Sequence, residues 1–541
     1  MHRLLHRRHW LAYWLTYWLT HRPVQRRDVR QAWAAALVLM FPLLSLVTGF
    51  AIGLAGFLFL FTACLWWRGC LAALRAHWPQ TRWVLLAFLL HLACMLALAP
   101  GRTHGANAAD GPLRMCIACA AMLVVQAGRP SLRALWLGVA GGALLGAAFV
   151  GWQRLALGME RPGGLLNPIT FGDLALCLAL LALVGAAAVR HAALRWIAAL
   201  GVVSGLAASL LTGSRGGWLA LPAAFVLLAA ARRHALLPRR LVLGVPVLAC
   251  ALALAAYAVP QTGVHARVAV GVEDVQRYLA GSPVATSIGV RLDLWKAGLR
   301  LAAEHPWRGL DTPAYKRRMH EWVAAGELSA AVFAPPEPPH MHNDALQALV
   351  TRGMPGLLAW AGILLLPFLF FRAQLARAPA PGPASEAASE PGPRAALTRR
   401  QSAALAGMLV VLAYAAFGLS EVIFWSMKGS LFYALMVFLL MGWCLVDEEA
   451  GASADSRLTD GAADNATDDA TGNATAGTAT DATDDATAVM ATDAAAPAME
   501  GTAGNAAAET TAGTADKAAA DTAPGMRQAG QARPGPASAG S

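Results

Sequence analysis

From Ala32 to Val446 the chain alternates long apolar runs with short polar connections. Twelve runs approach or reach the roughly 20 residues a helix needs to cross a bilayer. They fall at 33–48, 51–67, 82–99, 113–127, 134–154, 168–189, 195–211, 216–231, 241–259, 355–371, 402–419 and 429–446. The pattern predicts an all-α, polytopic integral membrane protein of about 12 transmembrane helices. One connection breaks the rhythm, because 260–345 is far longer than the rest. Inside it, residues 288–304 set Leu292, Trp295 and Leu299 at helical spacing before Pro306, which predicts an amphipathic surface helix. Arg291, Trp295 and Gly298 share a stripe on it. Residues 313–327 read as a second short helix, and the Pro-rich stretch 334–339 delivers His340 and His342 to the start of another. Asp344 and Gln347 have capping-box spacing there, and the glycines and proline of 353–356 predict a break before the next span.

Composition supports lipid as the solvent: among 541 residues, 57% are hydrophobic and only 14% charged, which excludes a soluble domain. Five regions follow: a basic, aromatic segment 1–31 that suits the cytoplasmic membrane interface, nine spans within 32–259, the large loop 260–345, a helix and three spans within 346–446, and a tail 447–541. The tail holds sixteen acidic and four basic residues in Ala/Thr/Asp/Gly repeats and is expected to be disordered. Its sequons at Asn465 and Asn473 fall on the expected inner side, where glycosylation is not expected. The N-terminus reads as retained rather than as a signal peptide, and the Pro-rich part of 372–400 as a flexible linker.

The basic excess therefore belongs to the membrane region, and its placement argues topology rather than nucleic-acid binding. With the N-terminus inside, Arg68, Arg75, Arg129, Arg190, Arg232 and Arg372, with their arginine neighbours, all face the cytoplasm. Connections 100–112, 155–167, 212–215, 260–345 and 420–428 then face outward. The eight cysteines lie in or beside apolar segments, so no disulfide framework is expected, and Cys116 and Cys119 read as packing residues despite their redox-motif spacing.

Intramembrane ionisable groups, the mark of a transporter, are few; His91 and Asp173 are the clearest. Polar chemistry gathers in the outward connections instead. Arg215 sits in a very short turn, 212–218, and breaks the positive-inside pattern. An arginine snorkelling to headgroups explains that position; a phosphate grip explains the neighbouring glycines as well, since they admit backbone amides to the same oxygen atoms. His340 and His342 form a weak zinc signal, two histidines two apart with no cysteine nearby, whereas one histidine near neutral pKa suits general-base work.

These residues resemble the O-antigen ligase and polymerase family, specifically the O-antigen ligases. His342-Asn343, nine residues, Gly353, two residues and Gly356 is similar to the ligase motif and ends the major outward loop, where the family has it. Residues 214–220, Ser-Arg-Gly-Gly-Trp-Leu-Ala, resemble the family's arginine turn. Arg291 before the Glu304 to Gly309 stretch, and Arg161 before Asn167-Pro168, are softer similarities.

The resemblance implies a C-type glycosyltransferase-like membrane enzyme of the bacterial inner membrane, with its loop and active site in the periplasm. It implies transfer of a polysaccharide from undecaprenyl diphosphate to a sugar hydroxyl of lipid A-core, inverting and with neither metal nor cofactor. His342 would be the base, with Arg215 and Arg291 on the departing diphosphate; Arg161, His305, His340 and Asn343 would contact substrate. His340 is the rival base, and the spacing to Gly353 selects His342. A polymerase or protein O-oligosaccharyltransferase with the same donor, and a polysaccharide-lipid transporter, are the competing readings.

Overall fold

A computed structural model describes residues 26–97, 105–233, 239–262, 264–280, 287–333, 340–377 and 397–446. The interfacial segment 1–25, the Pro-rich stretches 334–339 and 378–396, and the tail 447–541 lie outside the described residues. The described chain is helical with no strand, as the hydropathy pattern predicts.

Sixteen α-helices follow in order: α1 (Arg26–Leu44), α2 (Ala51–Leu65), α3 (Trp67–Ala97), α4 (Gly105–Ile117), α5 (Cys119–Gly128), α6 (Leu132–Leu155), α7 (Pro168–Ala188), α8 (Ala192–Leu211), α9 (Ala220–Arg233), α10 (Arg239–Ala258), α11 (Val264–Leu279), α12 (Ser287–Glu304), α13 (Thr312–Ala324), α14 (Asp344–Arg377), α15 (Arg399–Phe417) and α16 (Met427–Leu445). Eight helical stretches are long and apolar enough to cross a membrane, and three shorter apolar helices accompany them. The protein is thus a multi-pass membrane protein; each expected span coincides with helix, while the full count of twelve rests on the shorter elements.

Helix starts follow local chemistry. Asn167 accepts from the Ile169 amide with Pro168 at the first turn of α7, Thr398 and Gln401 form a reciprocal box at α15, and Ser426 caps α16. Helices α7, α15 and α16 are almost wholly buried and form the centre of the bundle, while α2 exposes Phe57 and Phe61. Peripheral apolar surface of this kind suits lipid rather than water. Close helix crossings use small residues: a Cβ on Gly142 of α6 would stand 2.1 Å from the Pro42 carbonyl of α1. All eight cysteines are free, and the Cys116 thiol donates to the Phe88 carbonyl at 3.3 Å.

Three local expectations change. The connection carrying Arg68 and Arg75 is not a loop, because α3 runs unbroken from Trp67 through Pro79. The long loop contains a helix the pattern did not announce, α11. The cap of α14 is Asn343, whose Oδ1 accepts from the Leu346 amide at 2.9 Å, so Asp344 is already the first helical residue. Gln347 does reach back, but its Oε1 takes the Met341 amide, at 2.9 Å.

Residues of α12, α13 and the start of α14 build a second small core from Leu294, Leu301, Tyr315, Met319, Trp322 and Met341, among others. It is fastened to α14 at the expected break. Gly353 has φ 62 and ψ −161, the Met354 amide donates to the Pro306 carbonyl at 2.7 Å, and the Leu310 amide to the Val350 carbonyl at 2.8 Å. A Cβ on Gly353 would meet the Trp307 carbonyl carbon at 2.4 Å. Gly353→Ala is therefore expected to lower stability by more than about 1 kcal/mol, since it adds a clash to an unfavourable φ. Gly151→Ala is the control: it meets nothing within 4 Å in α6 and should be neutral or slightly stabilising. Thermal unfolding of both variants in detergent checks the pair.

Candidate functional site

The His-Asn-Asp stretch docks on the short connection 418–426 between α15 and α16. The Asp344 amide donates to the Gly418 carbonyl at 2.8 Å, and the Asn343 side-chain amide to the Leu419 carbonyl at 3.3 Å. The backbone amides of Ile423 and Phe424 donate to the Asp344 carboxylate. Preceding Met341 is gripped from both sides, its amide by Gln347 and its carbonyl by the Trp295 indole at 3.0 Å. His342 is held in the left-handed region at φ 49, a conformation a histidine keeps only where surrounding bonds over-determine it.

The result is a histidine pair on one carboxylate. Glu421 meets His342 Nδ1 with Oε2 at 3.1 Å and His340 Nε2 with Oε1 at 3.0 Å. Burial alone would raise the Glu421 carboxyl, but hydrogen bonds from both histidines, and their charges, hold it well below the usual carboxylate range. A third contact settles the protons. The His342 backbone amide donates to His340 Nδ1 at 3.3 Å, so the proton of neutral His340 sits on Nε2, where it donates to Glu421. For His342, Nδ1–H donates to the carboxylate and the basic lone pair is left on Nε2. His340 has no lone pair to spare, and at 9% side-chain exposure it is more enclosed than His342 at 19%.

These ligand atoms lie within 4.8 Å of one another, which is near enough for metal coordination. A metal on His340 Nε2 would, however, drive that ring's proton to Nδ1, directly against the His342 backbone N–H.

Arginines face the same connection. Burial pulls the Arg291 guanidinium on α12 below its ordinary value; the Glu421 charge opposes this, and the Arg161 and Arg215 charges add to it, so all three act on Arg291. Arginine stays cationic through such shifts. Arg161 is exposed on the turn after α6, which Gln153 pins through the Gly164 amide at 2.8 Å and Lys428 through the Leu165 carbonyl at 3.2 Å. Arg215 is exposed at the start of a short 3-10 turn, Gly216–Leu219. A Cβ on Gly271 of α11 would be 2.1 Å from its Nη1.

Of the expected site residues, Arg161, Arg215, Arg291, His340, His342 and Asn343 converge. His305 does not: it lies 14 residues beyond Arg291, at the far end of α12 and roughly 20 Å away along the helix axis. Two carboxyls escaped the sequence reading of the site. Glu421 is a lone acid in an apolar connection with no motif around it. Asp173, already notable as an intramembrane acid, lies fully buried beneath the arginine turn. A Cβ on Gly217 would stand 2.1 Å from its Oδ1, and neither of its oxygens has a hydrogen-bond partner.

With this geometry in view, residues 200–361 match the family described as O-antigen ligase, a window that holds Arg215, Arg291, His340, His342 and Asn343. That match supports assigning the chain to the O-antigen ligase/polymerase family. The chain is also similar to an uncharacterized protein of Haemophilus influenzae, 22% identical over 294 residues, which cover 53% of this chain and 72% of that one. Members of the family are glycosyltransferase-like enzymes acting on polysaccharide and lipid-linked substrates. The Asn343, Gly353 and Gly356 positions of the matched motif have structural work here: a cap, a left-handed break and the kinked turn that follows it.

The proton placement is open to direct measurement. Nitrogen-15 NMR of the histidine-labelled protein is expected to show His342 protonated on Nδ1 and His340 on Nε2 when both rings are neutral. His342→Ala and His340→Ala variants assign the signals, and the reverse tautomers would contradict the network.

Proposed function

We propose that the protein transfers a polysaccharide from undecaprenyl diphosphate to a sugar hydroxyl of lipid A-core, at the periplasmic face of the bacterial inner membrane. The observation that carries the reading is the His342 ring, fixed by Glu421 with Nε2 basic, in a site where the charges of Glu421, Arg161 and Arg215 all act on Arg291. His342 Nε2 takes the proton of the acceptor hydroxyl as its oxygen bonds to the anomeric carbon. The bond from that carbon to the diphosphate oxygen breaks on the opposite side, so configuration inverts. Arg215 and Arg291 stabilise the charge growing on the diphosphate, with Arg161 as a further contact.

Glu421 is a positioning residue in this scheme. It holds the His342 tautomer and pairs with the imidazolium once the proton has moved, while His340 holds Glu421. Asn343 acts through the backbone rather than on substrate. His305 is left without a part. The scheme uses neither metal nor cofactor.

The test is transfer by purified protein from lipid-diphosphate glycan to lipid A-core, in EDTA. His342→Ala is expected to lose at least about 10²-fold in kcat, the usual worth of a positioned base. Arg215→Ala and Arg291→Ala should each lose on the order of 10²- to 10³-fold. Glu421→Gln, similar in shape but able to present a donor, should cost about 10²-fold or more through the tautomer it fails to enforce. Full activity of a stably folded His342→Ala variant would sink the mechanism. Lengthened lipid-linked chains or glycosylated protein, in place of modified lipid A-core, would indicate the polymerase or protein-transferase alternatives. Absence of any glycosidic bond formation by native protein would favour the transporter.

A further inference from the structure

Helix α11, unannounced by the hydropathy pattern, carries a regular apolar stripe that is exposed among the described residues. Val268, Val272, Val275 and Leu279 recur at i, i+4, i+7 and i+11, and are 40%, 52%, 41% and 79% exposed. The helix packs on α10 and α12 with Gly271 and Asp274 buried. Gly271 is the residue in contact with the Arg215 guanidinium, and no side chain could stand at 271 with that guanidinium in place. Val268 and Val275, three residues before Gly271 and four after it, flank this contact on one side of the helix. A stripe from 268 to 279 runs roughly 16 Å at 1.5 Å per residue.

A cationic group at one edge of a long, narrow apolar strip fits an amphiphile with an anionic head and a linear hydrocarbon chain. Resting on the transferase reading, we infer that α11 seats the isoprenoid chain of the donor: its diphosphate meets Arg215, and its first prenyl units lie along Val268, Val272, Val275 and Leu279. An ordinary phospholipid would use the stripe alone. Only a prenyl diphosphate uses the stripe together with Arg215, whose charge, with that of Arg161, acts on Arg291.

The test pairs a conservative triple variant, Val268→Thr/Val272→Thr/Val275→Thr, with photolabelling of the native chain. Thr keeps the shape and branching of Val. In detergent, the variant's KM for an undecaprenyl-diphosphate donor should rise at least about tenfold, as expected from losing buried valine methyls. Its kcat should stay within about twofold of native on the same reasoning. A benzophenone-bearing prenyl diphosphate should label the α11 peptide, and unlabelled undecaprenyl diphosphate should displace it where phosphatidylglycerol does not.

An unchanged KM, label outside α11, or equal displacement by phosphatidylglycerol would each overturn the assignment; the last would make the stripe a bilayer contact. Labelling requires no turnover. A native chain that labels as expected yet transfers nothing would therefore fail the transferase reading and keep the prenyl seat.

Discussion

Glu421 is the pivot of the structure. A carboxylate moved out of water costs on the order of several kcal/mol unless hydrogen bonds and opposite charge replace the lost solvent. Here two histidine rings each donate an N–H, one to each oxygen, and the Arg291 charge acts across the same site. That requirement couples distant parts of the chain. The histidines come from the end of the long loop, and the carboxylate from a turn of nine residues between the last two helices. The Gly418 and Leu419 carbonyls, the Ile423 and Phe424 amides and the Trp295 indole all serve to hold those two segments in register. The small core of the loop is thus tied to the span bundle through the atoms that fix the site, and again through Gly353.

Most of the fold was legible because lipid imposes a simple rule. A chain crossing hydrocarbon must pair its backbone internally, so twelve apolar runs could only be helices, and α12 and α13 declared themselves by periodicity before Pro306 and after Asp311. What was not legible depended on neighbours. The Arg68 to Arg75 segment looked like a connection because it is polar, yet arginine, leucine and alanine are good helix formers, and the single Gly69 at its start does not outweigh them. Helix α11 was missed because Gly271 and its charged residues dilute its apolar stripe. The cap moved by one residue because Asn343 and Asp344 are both good caps, and the pull of the 418–426 turn on Asp344 decides between them.

The site divides the same way. Arg215 stood out because it breaks the positive-inside pattern, Arg291 through the stripe of its surface helix, and His342 through its place before a helix start and the family-like spacing to Gly353. Glu421 gave no such signal: its role exists only because the fold brings it, 79 positions further along the chain, to His342. The spacing to Gly353 prefers His342 over His340 in the sequence, yet in the structure that spacing reports how α14 breaks and docks. What separates the two rings physically is a backbone amide, that of His342, which occupies the lone pair of His340. Sequence carries no trace of that contact, because it depends on the positive φ of His342 itself.

The mixture of charges at the site has a consequence for turnover on the proposed mechanism. Three arginines alone would bind a free diphosphate about as well as one still attached to sugar, and uniform binding of that kind accelerates nothing. Glu421 changes the balance, because its charge acts on Arg291 before any ligand arrives. When the acceptor's proton reaches His342, the imidazolium formed beside Glu421 neutralises that carboxylate. The arginines are then least compensated at the moment when negative charge on the diphosphate is growing. Proton loss from His342 after the bond has formed restores the carboxylate's field, weakens the arginines' hold and lets the product go. The histidine pair and the arginines therefore act as one electrostatic unit, with Glu421 as the group through which the state of the base is felt at the leaving group.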